Sequence, residues 1–482
     1  MTDLIEQLAA IVGAQQVLTG ADVARWSTDW TGKYKGEPLV VVRPGSREEV
    51  AAVLRVASAR NLPVVPVSGN TGTVGGAMGK GAIVLTLERM NRIREIRAGA
   101  RVAVVEAGVV IDALNAAAEE HGLMFPLSFG ASGSAMIGGV LSTNAGGANV
   151  VRYGNTRDLC LGIEVVLADG RIMDLMQALH KNNSGFDLRH LMIGAEGQLG
   201  IITAAVVKLY PCPVDHVTAM VAMPSLDRAP DLLNAIQSAS AGAVVAFEFM
   251  PRAFIEGHFA VRPDAREPFD APHPVNLLIE LAATKTGVLG EALEEVLAGW
   301  LEAGDVTDAV IARNETQRRE MWARREAAAE IAYRRRPVVD TDIAVPLDRV
   351  SHYLREIELR LRAIDPDCEV LSVAHLGDGN IHYTCYPSRE QEELVAALRT
   401  EIDDLALEMN GTFSAEHGVG LSKLAPMARY KDPVALDVMR AIKAALDPKG
   451  ILNPGKTLPG SETEAAGQAP SPADSARFCE GF

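Results

Sequence analysis

The sequence contains little that would suit a membrane protein, a nucleic-acid-binding protein or a disulfide-stabilised fold. Its 482 residues include five cysteines and no Cys-x-x-Cys pair, so we expect neither a disulfide framework nor a ferredoxin-type iron–sulfur cluster. No apolar run approaches the roughly 18–20 residues that a membrane-spanning helix needs. The net charge of −16 disfavours the basic surface that phosphate neutralisation requires, so no nucleic-acid partner is expected.

The bulk composition is that of a globular protein. Hydrophobic residues make up 48% of the chain and charged residues 22%, and the length allows two or three ordinary domains. The N-terminus, MTDLIEQLAAIVG, lacks a basic leader followed by an apolar block, which predicts an amphipathic helix and not a secretory signal. Scattered cysteines and the absence of a signal favour a reducing, cytoplasmic setting.

Changes in pattern along the chain predict an α+β fold in several parts. Residues 1–35 form an N-terminal helical segment, and residues 36–212 mix short apolar strands with helices, as in SREEVAAVLRVASARN, where Ser46 can cap the helix. Longer helices separate fewer strands in 213–415, which predicts an antiparallel sheet covered on one side by helices. Residues 416–458 form a closing segment, and the polar tail at 459–482 predicts disorder.

Three glycine-rich segments lie where strands are expected to end. They are PVSGNTGTVGGAMGKG (66–81), FGASGSAMIGGVLSTNAGGANV (129–150) and MIGAEGQLGII (192–202). Glycine allows close backbone approach and positive φ, so successive N–H groups can form an anion-binding nest. The spacing fits neither a Rossmann GxGxxG unit nor a P-loop. One such segment would suggest only tight turns, whereas three favour a long dinucleotide lying across the domain.

These segments, together with RYGNTRDLCLGIEVVLADG, resemble the FAD-binding domain of vanillyl-alcohol-oxidase-type (PCMH-type) flavoproteins. The similarity is greatest to the branch that contains D-lactate dehydrogenases, the glycolate oxidase flavin subunit and D-2-hydroxyglutarate dehydrogenases, and it runs from about residue 36 to 458. It implies an FAD-binding domain at 36–212, a substrate- and metal-binding domain at 213–415, and a C-terminal segment at 416–458 that returns to the FAD site.

The resemblance also implies which residues hold FAD. The first loop and the GG and NAGG segments wrap the pyrophosphate and flavin in this family, and the EGxLGI stretch holds the adenosine end. The corresponding positions in this chain are Pro66, Ser68, Gly69, Asn70, Thr71, Gly72, Thr73, Pro126, Gly133, Ser134, Gly138, Gly139, Asn144, Ile202 and Asn453. Some relatives attach FAD covalently through a histidine in the first loop. No histidine lies between 66 and 81, so we expect non-covalent FAD.

A second set of residues lies in AHLGDGNIHY (374–383) and SAEHGVG (414–420). His375 and His382 are seven residues apart, and the glycines between them predict a tight turn between two strands. Such a reversal can bring both imidazoles to one point, where Glu416 would complete a two-histidine, one-carboxylate metal site. Isolated histidine pairs are more often structural, but three of only ten histidines fall in these two motifs.

The resemblance gives these residues roles. HLGDGNIH and EHGVG resemble the family's metal-binding motifs, which implies that His375, His382 and Glu416 bind one divalent ion and that His417 is the general base. The ion would polarise the hydroxyl of a 2-hydroxy acid, His417 would take its proton, and hydride would pass to flavin N5. Nitrogen and oxygen ligands leave Zn²⁺, Mn²⁺ and Fe²⁺ open.

The segment MWARREAAAEIAYRRRP (321–337) predicts a basic helix whose arginines are mostly solvated. Its WxxRE motif resembles a family segment in which the arginine, here Arg325, binds the substrate carboxylate. The hydroxyglutarate dehydrogenases bind the distal carboxylate with a threonine, a lysine and an asparagine. The corresponding residues are Ala329, Asp340 and Thr384. Because Asp340 would repel a second carboxylate, we expect a monocarboxylate such as D-lactate, although Arg334–Arg336 offer other cations.

Several alternatives remain open at this point. The same fold could oxidise D-2-hydroxyglutarate or glycolate, or the chain could be a flavin-binding subunit that is inactive without partner chains. The electron acceptor could be O₂, a quinone or an electron-transfer flavoprotein, so the sequence does not separate an oxidase from a dehydrogenase. The oligomeric state is equally open, and a homodimer is among the options.

Overall fold

The computed structural model describes residues 1–460. Apart from its first two positions, the predicted disordered tail lies outside the described residues. Within this range, no helix is long and apolar enough to cross a membrane. The four cysteines among the described residues, at positions 160, 212, 368 and 385, are free thiols.

The first part of the chain contains a small mixed sheet. Its elements are α1 (Thr2–Val12), β1 (Val17–Leu18), β2 (Val40–Val42), α2 (Arg47–Arg60), β3 (Val64–Val67) and β4 (Ile83–Thr86). The strand order is β1-β2-β4-β3, with the last three strands parallel and β1 antiparallel to β2. Helix α2 begins as predicted, because the Ser46 hydroxyl accepts a hydrogen bond from the Glu49 amide at 3.2 Å.

A five-stranded antiparallel sheet follows in the order β5-β6-β10-β8-β9. The elements of this region are β5 (Ile93–Arg97), β6 (Val102–Glu106), α3 (Ile111–Glu119), β7 (Leu123–Met124), α4 (Ile137–Thr143), α5 (Val150–Tyr153), β8 (Cys160–Val166), β9 (Ile172–Leu175), α6 (Leu188–Met192), β10 (Ile201–Lys208) and β11 (Tyr210–Pro211). The first glycine-rich segment begins at the end of β3. The second follows the short strand β7 after residues 125–128 and contains α4, whereas the third follows α6 and leads into β10, so the expectation of three strand ends was wrong for the third.

The largest sheet has seven strands in the order β15-β12-β14-β13-β17-β18-β16, all antiparallel. Its strands are β12 (Asp215–Met223), β13 (Val244–Pro251), β14 (Val275–Ala283), β15 (Asp308–Ile311), β16 (Val339–Ala344), β17 (Glu369–His375) and β18 (Asn380–Tyr386). The predicted turn between the two histidine-bearing strands is present, since β17 ends at His375 and β18 begins five residues later.

Helices cover both faces of this sheet, not one as the sequence suggested. The helices are α7 (Ala229–Ala239), α8 (Arg252–Val261), α9 (Gly290–Ala303), α10 (Glu315–Glu326), α11 (Ala328–Tyr333), α12 (Val350–Ile364) and α13 (Glu392–Glu408). Helices α7, α9, α12 and α13 pack on one face, and α8, α10 and α11 on the other. Alternate residues of the central strands are therefore buried on each side, which explains their near-continuous apolar runs.

The predicted basic helix at 321–337 is divided between α10 and α11, which meet at Ala327. The direction of α11 is set by close packing on α8. A Cβ atom placed on Gly257 would lie 2.6 Å from Cγ2 of Ile331, so the two backbones approach where glycine leaves room. This contact joins residues 74 positions apart, so the local sequence pattern could not predict where the helix is divided.

The C-terminal segment returns to the first sheet after α14 (Leu424–Tyr430) and α15 (Pro433–Leu446). The Val64 amide donates to the Ile451 carbonyl at 2.7 Å, and the Asn453 amide donates to the Val64 carbonyl at 2.8 Å. These bonds extend the β3 edge and bring Asn453 beside the first glycine-rich segment.

Candidate functional site

The first two glycine-rich segments contact each other at positions where only glycine fits. A Cβ atom on Gly69 would lie 2.1 Å from the Ser134 carbonyl oxygen. At the same contact, a Cβ atom on Gly139 would lie 3.2 Å from the Ser68 Cβ atom, and one on Gly138 would lie 3.3 Å from the Ser68 hydroxyl oxygen. The two segments therefore pack against each other, and glycine-rich loops of this kind can form the anion-binding nest that a diphosphate needs.

The third glycine-rich segment joins the same assembly. A Cβ atom on Gly197 would lie 2.6 Å from the Pro66 ring. The Asn453 side-chain amide donates to the Glu196 carbonyl at 2.7 Å and to the Gly76 carbonyl at 3.2 Å. All three segments and the C-terminal segment thus lie together, although they are far apart in the sequence.

Two buried polar atoms of this assembly fit the binding of a polar ligand. The Thr73 hydroxyl and the Asn453 side-chain oxygen are buried without a hydrogen-bond partner in residues 1–460. Buried polar groups normally have partners, so two orphans among the predicted FAD-binding residues indicate space that a polar ligand fills. Two other predicted residues have groups that are less available for binding a ligand. The Ile202 side chain lies in the core of the five-stranded sheet, and the Pro126 carbonyl accepts a hydrogen bond from the Asn149 side chain at 3.1 Å.

The remaining predicted FAD-binding residues lie on these loops and their borders. Pro66 lies in β3, which ends at Val67, and the residues from Ser68 to Thr73 follow the strand. Gly133 and Ser134 precede α4, whereas Gly138 and Gly139 form its first turn. Asn144 caps α4 with a left-handed φ of 53°, and its side-chain oxygen accepts from the Arg157 amide at 2.9 Å. The predicted residues therefore share one region, even though they arise from four stretches of chain.

The two histidine motifs meet around one carboxylate oxygen. Glu416 Oε1 lies 3.9 Å from His375 Nε2, 3.5 Å from His382 Nε2 and 3.7 Å from His417 Nε2. Three imidazoles and a carboxylate from separate parts of the chain therefore share one centre. This donor set suits Zn²⁺, Mn²⁺ or Fe²⁺ and leaves room for substrate oxygen ligands.

This histidine cluster lies against the glycine-rich half of the protein. A Cβ atom on Gly146, in the NAGG motif, would lie 3.0 Å from Glu416 Oε2. The cluster consequently faces the loops that are predicted to hold the flavin. An arrangement of this kind can present one small molecule to a metal ion and to a flavin simultaneously.

Asp342 on β16 is a buried residue beneath the cluster that the sequence reasoning missed. Its Oδ2 atom accepts the backbone amides of Ala415, Glu416 and His417 at 3.2, 3.2 and 2.9 Å and the Lys423 ammonium at 3.1 Å. Burial alone would raise the pKa of Asp342, but His417 and Lys423 outweigh burial and hold this pKa well below its usual value. Asp342 is therefore ionised.

Asp342 is close enough to His382, Glu416 and His417 to be considered a metal ligand. Its hydrogen bonds argue otherwise. Oδ2 already serves four donors, and Oδ1 accepts from the Asn380 side chain at 3.0 Å. Oδ2 therefore has no lone pair left for an ion, and Oδ1 keeps a single one. We therefore assign Asp342 to holding the loop, and not to the metal set.

A second carboxylate holds the other end of the same loop. Glu196 Oε1 accepts the Val419 amide and Oε2 accepts the Gly420 amide, both at 2.8 Å. Burial raises the pKa of Glu196, although these amide bonds oppose the shift. The loop that carries Glu416 and His417 is thus fixed by one acid from the seven-stranded sheet and by one from the third glycine-rich segment.

Arg325 lies beside the cluster, as the resemblance implied. Its Nε atom donates to Glu248 Oε2 at 2.7 Å, and one guanidinium nitrogen packs 3.3 Å from His375 Nε2. The neighbouring Arg324 instead donates to the Arg266 and Glu320 carbonyls, away from the histidines. Of the two arginines, Arg325 is the one that contacts the histidine cluster.

Glu248 is a further residue that the sequence reasoning missed. It lies on β13 directly opposite His375 on β17, and its carboxylate is 1% exposed. Burial by itself would raise the pKa of Glu248, but His375 and Arg325 lower it overall. A lone acid within an apolar strand, here VVAFEFM, was the available signal, because such an acid needs a buried partner.

Asp340 and Thr384, which the sequence analysis placed at the distal carboxylate, lie two positions from Asp342 and His382 on the same two strands, β16 and β18. Asp342 pairs with His382, and Asp340 pairs with Thr384, so both pairs lie on one face about 7 Å apart. Asp340 accepts hydrogen bonds from the Tyr333 hydroxyl and from the Thr384 hydroxyl, the latter at 3.2 Å. Lys33 from the N-terminal segment contacts the Tyr333 hydroxyl at 3.4 Å. A cation thus lies next to the acid at this position.

Comparison with known families gives two matches that span most of the chain. Residues 38–176 match the family described as FAD binding domain, and residues 213–457 match the family described as FAD linked oxidases, C-terminal domain. The chain belongs to the FAD-linked oxidase family. It is an FAD-linked oxidoreductase, which agrees with the enzyme class that the resemblance implied.

Curated relatives in this family are similar over nearly their whole length. The D-2-hydroxyglutarate dehydrogenase of Xanthomonas citri pv. viticola is 38% identical over 447 residues, which are 90% of this chain and 92% of the relative. The mitochondrial D-2-hydroxyglutarate dehydrogenase of Bos taurus is 36% identical over 462 residues, 95% of this chain and 84% of the relative. The predicted branch is thereby confirmed.

Solved structures support the predicted α+β, vanillyl-alcohol-oxidase-type fold. The structure of p-cresol methylhydroxylase with substrate bound has a TM-score of 0.72 at 16% identity and covers 95% of this chain and 96% of that chain. The 4-ethylphenol oxidase from Gulosibacter chungangensis has a TM-score of 0.70 at 18% identity, with coverage of 96% and 98%. At these identities the likeness concerns the fold alone.

Proposed function

We propose that this flavoenzyme oxidises a D-2-hydroxy acid to the 2-oxo acid at a divalent-metal site formed by His375, His382 and Glu416. The observation that carries the proposal is the convergence of three imidazole Nε2 atoms, including that of His417, on Glu416 Oε1 at 3.5–3.9 Å. This centre faces the glycine-rich loops, so a substrate held there would lie against the flavin.

Each side chain has a distinct task in this proposal. A metal ion held by His375, His382 and Glu416 would supply Lewis acidity to the substrate hydroxyl, and a flavin held by the glycine-rich loops would supply the hydride acceptor for Cα. Arg325 binds the substrate carboxylate, since its guanidinium is fixed by Glu248 and faces the cluster. His417 takes the hydroxyl proton, and its ring is oriented by stacking on His382 with centroids 5.4 Å apart. Asp342 and Glu196 hold the loop that carries this base.

Within this class we propose D-2-hydroxyglutarate as the first substrate to test. The curated relatives, which are D-2-hydroxyglutarate dehydrogenases, support it over the D-lactate that the sequence favours. Lys33 supports it as well, because this ammonium lies beside Tyr333 and Asp340 and can offset the charge of the acid. A monocarboxylate such as D-lactate remains the second candidate, because Asp340 lies where a distal carboxylate would arrive.

The test is anaerobic bleaching of the flavin absorbance by single acids. Purified, metal-loaded protein would receive D-2-hydroxyglutarate, D-lactate, glycolate or L-lactate in separate experiments, with metal-depleted protein as the control. We expect bleaching by a D-acid, fastest with D-2-hydroxyglutarate, and none without metal. Equal bleaching without metal would refute the proposed site, and bleaching by D-lactate alone would leave the second candidate.

The same experiment addresses the partner-dependent alternative. A chain that bleaches its own flavin with substrate alone needs no partner subunit for the reductive half-reaction. Admitting air, a quinone or an electron-transfer flavoprotein to the reduced protein then identifies the electron acceptor, because only a competent acceptor restores the flavin absorbance rapidly. We expect FAD to be released by denaturation without covalent attachment, since no histidine lies in the first glycine-rich segment.

A further inference from the structure

We propose that Glu248 is a positioning residue that fixes the ring tautomer of His375 and the orientation of Arg325 together, and thereby sets the metal affinity of the site. The inference rests on the proposed function, because it takes His375 as a metal ligand. It concerns a residue outside every motif that the sequence analysis identified.

The geometry assigns one carboxylate oxygen to each partner. Glu248 Oε2 accepts from Arg325 Nε at 2.7 Å, and Oε1 lies 2.9 Å from His375 Nδ1. The carboxylate is 1% exposed, whereas the Arg325 and His375 side chains are 10% and 12% exposed. Water therefore cannot readily replace any of the three groups.

This contact determines which ring nitrogen of His375 is free. An ionised carboxylate can only accept hydrogen bonds, so Nδ1 must carry the hydrogen that points at Glu248. The lone pair of a neutral ring is then on Nε2, the atom directed at Glu416 Oε1. Carboxylate–histidine pairs of this kind orient metal-binding imidazoles and raise their basicity.

The neighbouring strand provides a matched control. Glu280 on β14 lies on the same sheet face, 4% exposed, and accepts from Arg318 Nε at 2.8 Å. Arg318 and Arg325 belong to the same helix, α10, and both reach down to a buried glutamate. Glu280, however, contacts none of the residues of the histidine cluster. Both glutamates are buried and accept from an arginine of α10, and of the two Glu248 is the one that contacts His375.

The test compares Zn²⁺ affinity among variants of the FAD-loaded, metal-free protein. Zn²⁺ would be titrated in competition with a chelating dye, and flavin content and melting would be recorded alongside. In Glu248→Gln, one oxygen becomes an NH₂ group. The buried guanidinium of Arg325 keeps the remaining oxygen, so the NH₂ faces His375 Nδ1 and favours the tautomer with hydrogen on Nε2.

We expect Glu248→Gln to bind Zn²⁺ about 10–100-fold more weakly than the wild type. Glu248→Asp keeps two acceptor oxygens and should recover part of the affinity. Glu280→Gln should retain the wild-type affinity even though it loses stability. If Glu248→Gln bound Zn²⁺ within twofold of the wild type, or if Glu280→Gln lost as much affinity, the inference would be overturned. A wild type that binds no more Zn²⁺ than His382→Ala would instead overturn the proposed metal site itself.

Discussion

Replacement of Asp342 by asparagine tests whether one buried acid holds the loop that carries Glu416 and His417. The substitution keeps the shape of the side chain and removes its charge. Oδ2 of Asp342 serves three backbone amides and the Lys423 ammonium, and both Asp342 and Lys423 are almost fully buried. The variant therefore leaves a buried ammonium without its counter-charge.

The expected loss follows from these contacts. Removing one partner of a buried ion pair costs about 3–5 kcal/mol. Lys423 retains the Ser414 hydroxyl at 3.0 Å and the Asp342 backbone carbonyl at 3.4 Å, so we expect a loss near the lower end, about 3 kcal/mol. The loop at 415–417 also loses its best acceptor, so Zn²⁺ affinity should fall together with stability.

The assay is urea-induced unfolding followed by circular dichroism at several pH values, with Zn²⁺ titration of the folded variant. Because the pKa of Asp342 is lowered in the folded state, its stabilisation is complete above the pKa of an unfolded aspartate, about 3.9, and is lost as the pH falls through the folded value. The wild type and the variant should therefore differ at pH 7 and converge in strong acid. Equal unfolding midpoints and equal Zn²⁺ affinity at pH 7 would refute the reasoning.

A second buried acid serves as the control for this experiment. Asp403 on α13 is 4% exposed, and burial raises its pKa to about 6. An acid with a raised folded pKa costs stability above that value, and the cost disappears as the pH falls below the unfolded value. Asp403→Asn should therefore stabilise the protein at pH 7, the opposite of Asp342→Asn. A loss of stability in both variants would mean that neutralising any buried acid is harmful.

Three other predictions concern the flavin site, the sheet and the substrate. Gly69→Ala should yield protein with little bound FAD, because its Cβ atom would lie 2.1 Å from the Ser134 carbonyl oxygen; flavin absorbance after gel filtration measures the loss. Glu280→Gln should lower the free energy of unfolding by about 3 kcal/mol at pH 7. Burial opposes the shift, but hydrogen bonds lower the pKa of Glu280 to about 2, so this loss of stability should shrink as the pH falls from 4.5 towards 2. Lys33→Met should raise KM for D-2-hydroxyglutarate about tenfold and leave D-lactate nearly unchanged, whereas Lys35→Met should affect neither.

Each of these three predictions has an outcome that would contradict it. Full FAD occupancy in Gly69→Ala would mean that the two glycine-rich segments do not need their close contact, and Gly99→Ala, where nothing lies within 4 Å, provides the control. A pH-independent loss in Glu280→Gln would point to packing and not to charge. Equal KM changes for both acids in Lys33→Met would remove Lys33 from the distal pocket.

The motifs of the sequence were sufficient for the fold family and for most of the candidate site. Three glycine-rich segments predicted a dinucleotide-binding domain, and the family matches confirm an FAD-binding one. HLGDGNIH and EHGVG predicted four residues that the structure brings to one centre around Glu416 Oε1. These features were readable because glycine and histidine occur there for local chemical reasons, namely backbone approach and lone-pair donation.

The local sequence pattern did not reveal four residues that support the candidate site: Asp342, Glu196, Glu248 and Lys33. Each acts through a partner distant in sequence: Glu248 meets His375 across paired strands, and Glu196 meets Gly420 across 224 positions. For a buried acid, strand register and packing decide whether it has a partner, and these are properties of the whole chain. The preference for D-lactate did not gain support for a related reason. The sequence showed that Asp340 stands where the hydroxyglutarate dehydrogenases have a lysine, but it did not show that Lys33 lies close to this position in space.

The sequence by itself determined the cofactor class, the fold family and the histidines and glutamate that form the cluster, because those depend on short motifs whose residues are neighbours in the chain. Only the tertiary structure decided which acids hold the cluster, on which side of the seven-stranded sheet each helix lies, and which cation accompanies Asp340. The physical reason is that charge pairing and burial operate over a few ångströms in space, whatever the separation along the chain.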